Sequence, residues 1–248
     1  MSLVRIAVRV AAVEALKGRT LVGDNVLDSE IGVIDINPEG GINISENKPF
    51  IAVYSDVSVA NGADTDLRSF TKNGNIDLVF ETGIAATMFE TDENGDSQLV
   101  GFGFPDTDRA MERSLDLIVR QIFDALTDPA NEWAQIFKSL TARFSEVRRG
   151  RISTDSGGLR RAAQQISLKV DLVADPVSGE PLKAGTPFSD FLSKIESNGS
   201  PDLKNLAELI HKQIGDSKDA SEVNQRRFGY TFEEAHAMLL AVPSEALP

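Results

Sequence analysis

Ile166-Ser167-Leu168-Lys169-Val170-Asp171-Leu172 alternates strictly between apolar and polar side chains. Successive residues of a strand point to opposite faces, so this run predicts a β-strand with one side in a core and the other in water. Asp175-Pro176 ends it, because proline brings no N–H to a ladder. Upstream, 76–87 repeats the pattern. Ile76, Leu78, Phe80, Thr82 and Ile84 share one face, with Asp77 and Glu81 on the other. Phe50 to Val57, opened by Pro49, reads as a third strand. The polar run between these two is a loop or wide hairpin connection, and 90–98 (ETDENGDSQ) is a hairpin loop. Residues 142–154 alternate more loosely, through Phe144, Val147 and Ile152. The turn-rich 19–49 segment leaves room for two short irregular strands, at Asn25–Leu27 and Ile31–Ile36.

Helical spacing fills the gaps. Leu3, Ile6, Val10, Val13 and Leu16 predict an amphipathic helix, with Gly18 placed to cap its end. The strongest helix runs from 106 to 127, where Met111, Leu115, Ile118, Val119, Ile122, Phe123 and Leu126 form one face. Asp106 or Thr107 can cap it, and Asp128-Pro129 stops it. Trp133, Ile136, Phe137 and Leu140 mark a second helix. Strands beside runs of helices predict an α+β fold: a mostly antiparallel sheet with helices packed on one face. After Pro176 the character changes. Pro176, Pro181, Pro187, Gly179 and Gly185 mark a linker or an extended crossing segment, followed by short helical patterns at 188–196, 202–214 and 231–241. The expected organisation is a core over 1–176 and a small helical extension over 177–248.

The 248 residues carry a net charge of -13 and no cysteine. A disulfide scaffold, a thiolate metal site and a cysteine nucleophile are therefore excluded. His211 and His236 are the only histidines, so one chain cannot build a multi-histidine metal centre. No apolar run reaches the length of a membrane span. The arginines and Glu14 in the first helix interrupt what would otherwise resemble a signal peptide. An acidic chain does not coat nucleic acid, because its field repels phosphates.

Motifs for chemistry are weak. Asp92-Glu93-Asn94-Gly95-Asp96 lacks the calcium-loop spacing, since its glycine falls at the fourth position and Ser97 at the sixth. Asp64-Thr65-Asp66 and Asp106-Thr107-Asp108 are D-x-D pairs, the second placed as a helix cap. A divalent-metal-dependent enzyme using Asp64 and Asp66 is the alternative they leave open. Gly101-Phe102-Gly103-Phe104 and Ser156-Gly157-Gly158 lack the lysine that follows a phosphate loop. No catalytic, cofactor-binding or metal-ligating residue is assigned.

Charge is divided by segment. Residues 24–108 hold seventeen acidic side chains against Lys48, Arg68 and Lys72. Residues 143–161 hold Arg143, Arg148, Arg149, Arg151, Arg160 and Arg161 against Glu146 and Asp155. Such a bipolar chain suits docking of a basic edge on a neighbour's acidic edge, and the six arginines are the candidate docking residues.

The phrase Ala15-Leu16-Lys17-Gly18-Arg19-Thr20, followed by Gly23-Asp24-Asn25-Val26-Leu27-Asp28-Ser29, resembles the start of tail-terminator proteins of long-tailed bacteriophages, the tail-completion proteins of the neck region. Further echoes are Pro49 to Tyr54, Ser114 to Ile118, Trp133, and Arg161 to Ile166 running on to Pro176, so the likeness covers 3–176. The resemblance implies an α+β virion subunit, not an enzyme, that forms a ring, usually a hexamer. It implies partners in the tail tube protein and a neck or head-completion protein, with DNA passing through the lumen without specific binding. Residues 177–248 exceed the compact form of that family.

Overall fold

A computed structural model describes residues 2–29, 34–36, 42–44, 49–60, 72–84, 87–91, 97–102, 108–156 and 159–238. The architecture is α+β. A five-stranded sheet is built from β1 (Val26–Asp28), β4 (Phe50–Val59), β5 (Asn75–Ile84), β8 (Thr141–Ser156) and β9 (Leu159–Leu172), in the order β1-β4-β5-β9-β8. All its pairings are antiparallel except β1 with β4. Two separate hairpins lie outside it: β2 (Ile34–Ile36) with β3 (Ile42–Ile44), and β6 (Thr87–Thr91) with β7 (Ser97–Phe102). The 90–98 loop thus joins β6 to β7, although residues 92–96 fall outside the described set.

The alternating runs set the register. Phe80 lies opposite Val53 on one side and Ile166 on the other, and Leu78 lies opposite Leu168. These side chains are all buried, so the predicted face of β5 and β9 is the core face. Helices α1 (Leu3–Leu16), α2 (Asp108–Thr127) and α3 (Glu132–Leu140) supply the rest of that core. The caps proposed for α2 at 106 and 107 lie outside the described residues. Gly74 opens β5 with φ +65, and a Cβ there would meet the Val59 carbonyl oxygen at 2.2 Å, so the β4–β5 connection closes only over glycine.

Helix α1 is less amphipathic than its apolar spacing predicts. Nine of its residues are buried, including Ala7, Ala11, Ala12 and Ala15. These small side chains let one helix pack against β4, α2, α3 and α4 (Pro187–Asn198) together. Its arginines leave the core sideways. Arg5 donates to the Ser55 hydroxyl and to the carbonyls of Ser55 and Asp56, and Arg9 pairs with Asp28.

Both ends of α1 are held by side chains from far along the chain. At its N-terminus, Asp175 accepts from Ser2 Oγ at 2.6 Å, Val4 N at 3.0 Å and Leu3 N at 3.1 Å. Asn73 adds a fourth bond to the same carboxylate at 3.1 Å. A carboxylate beside free helix N–H groups also complements the dipole. At the C-terminus, the buried Asn131 amide donates to Ala15 O at 2.9 Å and Ala125 O at 3.2 Å. Its carbonyl oxygen accepts from Trp133 N and Ala134 N, capping α3. One side chain therefore serves the ends of three helices.

The C-terminal segment joins the same core. Phe188, Phe191, Leu192 and Ile195 of α4, with Ala207, Ile210 and Ile214 of α5 (Pro201–Ile214), belong to one apolar cluster with α1, α3 and the sheet. On α5 the buried face runs through Ala207, Ile210 and Ile214, while Leu209 is 58% exposed. Helix α6 (Ala220–Phe228) is an element the sequence reading did not include, and α7 (Phe232–Ala237) follows it.

Replacing Asn131 with Ala leaves two buried carbonyls without donors and should cost about 2–4 kcal/mol in urea unfolding. Asn131→Asp should cost more, because it turns donors into a buried charge facing carbonyl oxygens. Ending the chain at 176 uncovers the α1 and α3 surfaces that α4 and α5 bury. Such a fragment should lose its cooperative unfolding transition by circular dichroism.

Candidate assembly surface

Strand β8 is the edge of the main sheet and spans 16 residues. From residue 142 to residue 150 every side chain is exposed. At 3.3–3.4 Å per residue, β8 presents about 50 Å of strand. Its register explains what each side carries. Phe144 pairs with Val170 and Val147 with Leu168, so both lie on the helix side of the sheet. They are still 49% and 42% exposed, because the helices stop short of the outermost strand. The Phe144 ring approaches Phe137 at 6.0 Å, and the Arg149 guanidinium lies 4.9 Å from the centre of the Phe123 ring. A cation over an aromatic face is held by the ring quadrupole, which fixes Arg149 against α2.

The opposite face carries the remaining charges. Arg143 pairs with Asp171 at 2.8 Å, and Arg148 forks onto both oxygens of Glu146. The Arg148 guanidinium holds the Glu146 carboxyl below the usual carboxylate range, and Glu146 raises Arg148 in turn. Both pairs are solvated, so they add little to stability and remain free to exchange partners. Arg143, Arg148 and Arg149 thus sit along β8 as the segment count suggests, each with a contact inside its own chain. For Arg151, Arg160 and Arg161 only the backbone is described. They lie opposite Gln164, Asp155 and Thr154, which spreads the six arginines along the whole β8–β9 hairpin.

Further in on the same face, Gln165 Nε2 donates to Tyr54 Oη at 3.0 Å, and that hydroxyl reaches the Glu81 carboxylate at 3.5 Å. Burial pushes the Tyr54 hydroxyl above its ordinary pKa, and the Glu81 and Asp56 charges push the same way.

The other sequence candidates do not come together. Asp64, Asp66 and the 92–96 loop lie outside the described residues, as do Gly157 and Gly158. His211 pairs with Glu196 of α4 at 2.5 Å, a partner fifteen residues away that helical spacing does not suggest. His236 stacks near Phe232 at 6.2 Å. Among the described residues, no three acidic or histidine side chains form a metal-sized group. No described helix is long and apolar enough to cross a membrane. A hollow of about 360 Å³ lies between Val59–Ala60, Lys72–Asn75 and Asp171–Ala174. Two of its polar side chains are already engaged, Asn73 with Asp175 and Asp171 with Arg143. Sequence reading missed Asn131, Asn73 and the Tyr54 triad, whose partners lie up to 116 residues away.

The chain matches no protein-family model and no curated protein.

The Tyr54 environment is directly measurable. In a Tyr230→Phe variant, Tyr54 is the sole remaining phenol. Its absorbance titration near 295 nm should have a midpoint above 10, and Glu81→Gln should lower that midpoint. The folded state then holds more protons than the unfolded one above pH 10, so this group's contribution to stability falls as pH rises past that point.

Proposed function

We propose that this protein is a structural ring subunit of a long-tailed bacteriophage, seated where the tail tube meets the head connector. The ring, hexameric by the resemblance, caps the tube, contacts the tail tube protein on one side and a neck or head-completion protein on the other, and passes DNA through its lumen.

The ordered likeness to tail terminators across 3–176 carries the reading. Its central phrase is part of the scaffold. Ala15 and Leu16 end α1, Gly18 takes φ +67, and Gly18 N donates to Gly23 O at 3.0 Å. Arg19 pairs with Asp128 at the end of α2, and Leu21 N donates to the Gln121 side chain. Asp28 closes β1 and holds Arg9. The phrase therefore builds a turn that fixes α1, α2 and β1 together. The long exposed strand β8 further supports an assembling protein, since such an edge is a template for another chain.

A second station on the neck, as another head–tail completion protein, is favoured by one feature. Helices α4 and α5 are integral to the core rather than a detachable addition to a compact terminator. Labelling the polypeptide in electron micrographs of purified particles separates the two: density at the tube end supports the terminator reading, and density at the portal side supports the other.

The protein should be found in purified virions, and the pure chain should sediment as a monomer in exchange with a closed ring. Absence from virions would sink the proposal. At physiological salt it should not retain duplex DNA in a filter assay, consistent with its net charge of -13.

A further inference from the structure

We propose that the β6–β7 hairpin of one copy of this chain docks along the open edge of β8 in the next copy. The inference rests on the ring reading and names the surfaces that join neighbours.

Strand β8 is the acceptor. Among the described residues no strand lies beyond it. An outer edge presents unpaired N–H and C=O groups. A strand added there would also cover Phe144 and Val147, extending across one more strand the apolar row that runs through Leu78 and Leu168. The other end of the sheet is poorly suited to this. There β1 has three residues, and beyond its reach the Arg5 guanidinium occupies the carbonyls of Ser55 and Asp56 on β4.

The β6–β7 pair is the donor. It forms a two-stranded sheet of its own, with no third strand hydrogen-bonded to it among the described residues, although β7 approaches β9 of its own chain. Its charge is complementary. The stretch 87–102 holds Glu90, Asp92, Glu93 and Asp96 and no basic residue. The stretch 141–156 holds four arginines against Glu146 and Asp155. Opposite fields steer the encounter and select register. Donor and acceptor are different surfaces of one chain, so each copy offers one and receives one. Contacts of that head-to-tail kind close into rings when the rotation allows.

The absence of cysteine makes the test clean. One variant carries Val147→Cys, at an exposed position of β8. A second set carries one substitution each: Thr87→Cys, Phe89→Cys, Thr91→Cys, Gln98→Cys or Val100→Cys. Each full-length variant is checked for native circular dichroism, mixed in equal amount with the first, and treated with a short bis-maleimide. The expected result is a covalent heterodimer with at least one hairpin position. Its yield should fall about tenfold when Val147→Cys is combined with Arg148→Glu and Arg149→Glu, and should fall with added salt. Homodimers of Val147→Cys alone would mean that β8 pairs with its own copy about a two-fold axis, and would overturn the proposal. Rings by electron microscopy with no heterodimer at any position would overturn it while leaving the ring reading intact. No heterodimer together with no rings and no polypeptide in virions would remove both.

Discussion

The structure depends on holding one almost fully buried helix at both ends. Helix α1 packs on the sheet, on α2, on α3 and on α4, so both of its ends are partly shielded from water. A helix leaves four N–H groups and four C=O groups unmatched, and buried ones are costly. Asp175 meets the first problem, and Asn131 meets part of the second by donating to Ala15 O, beside the Lys17 N and Arg19 N bonds to Val13 O and Leu16 O. Both residues follow directly on other elements: Asp175 lies just past β9, and Asn131 is the N-cap of α3. Forming the strand and the short helix therefore delivers the groups that cap α1. Completion of α1 is tied to closure of the whole domain.

This coupling explains why the C-terminal helices belong to the core. The outward side of α1 and α3 would stay apolar and wet without Phe188, Phe191 and Ile195. The proline-rich stretch 176–187 reads as a linker or a crossing segment because proline and glycine interrupt periodicity. In the fold it works as a crossing. Val177 and Gly179 are buried, Gly179 N donates to Ile214 O at 2.7 Å, and Arg227 of α6 pairs with Glu180. Such a strap has no periodic signature in sequence, because its contacts are made by backbone and by residues far away.

What the sequence conveyed well was periodic. The alternation at 76–84 and 166–172 marked the core face of both strands, and 3.6-residue spacing marked α2 and α3. Less legible were features whose partners are distant. Asn131 reads only as a polar residue before a helix, and His211 takes its partner from another helix rather than from the neighbouring turn. On α5 Leu209 and Ile210 are adjacent and both apolar, so periodicity alone does not tell that Ile210 is buried and Leu209 exposed. The full sixteen residues of β8 were blurred because an edge strand exposed on both faces has no reason to alternate, and bulges near Thr141 and Phe144 shift its parity. The charge imbalance was legible as a count of arginines. The geometry, with Arg143 and Arg148 paired on one face of β8 and Arg149 against Phe123 on the other, was not.

The arginines of β8 have a double consequence. A bare strand edge of this length invites pairing with any extended chain, and charged side chains along it are a common defence. Arg143 and Arg148 are held by Asp171 and Glu146 on one face, and Arg149 lies against Phe123 on the other. They therefore flank the backbone edge without blocking it. A neutral or basic strand approaching β8 gains backbone hydrogen bonds but no relief of positive charge. An acidic strand gains both, and because the existing ion pairs are solvated they can be shared at little cost. The same residues thus discourage indiscriminate pairing and favour one class of partner, the property the proposed ring subunit would need.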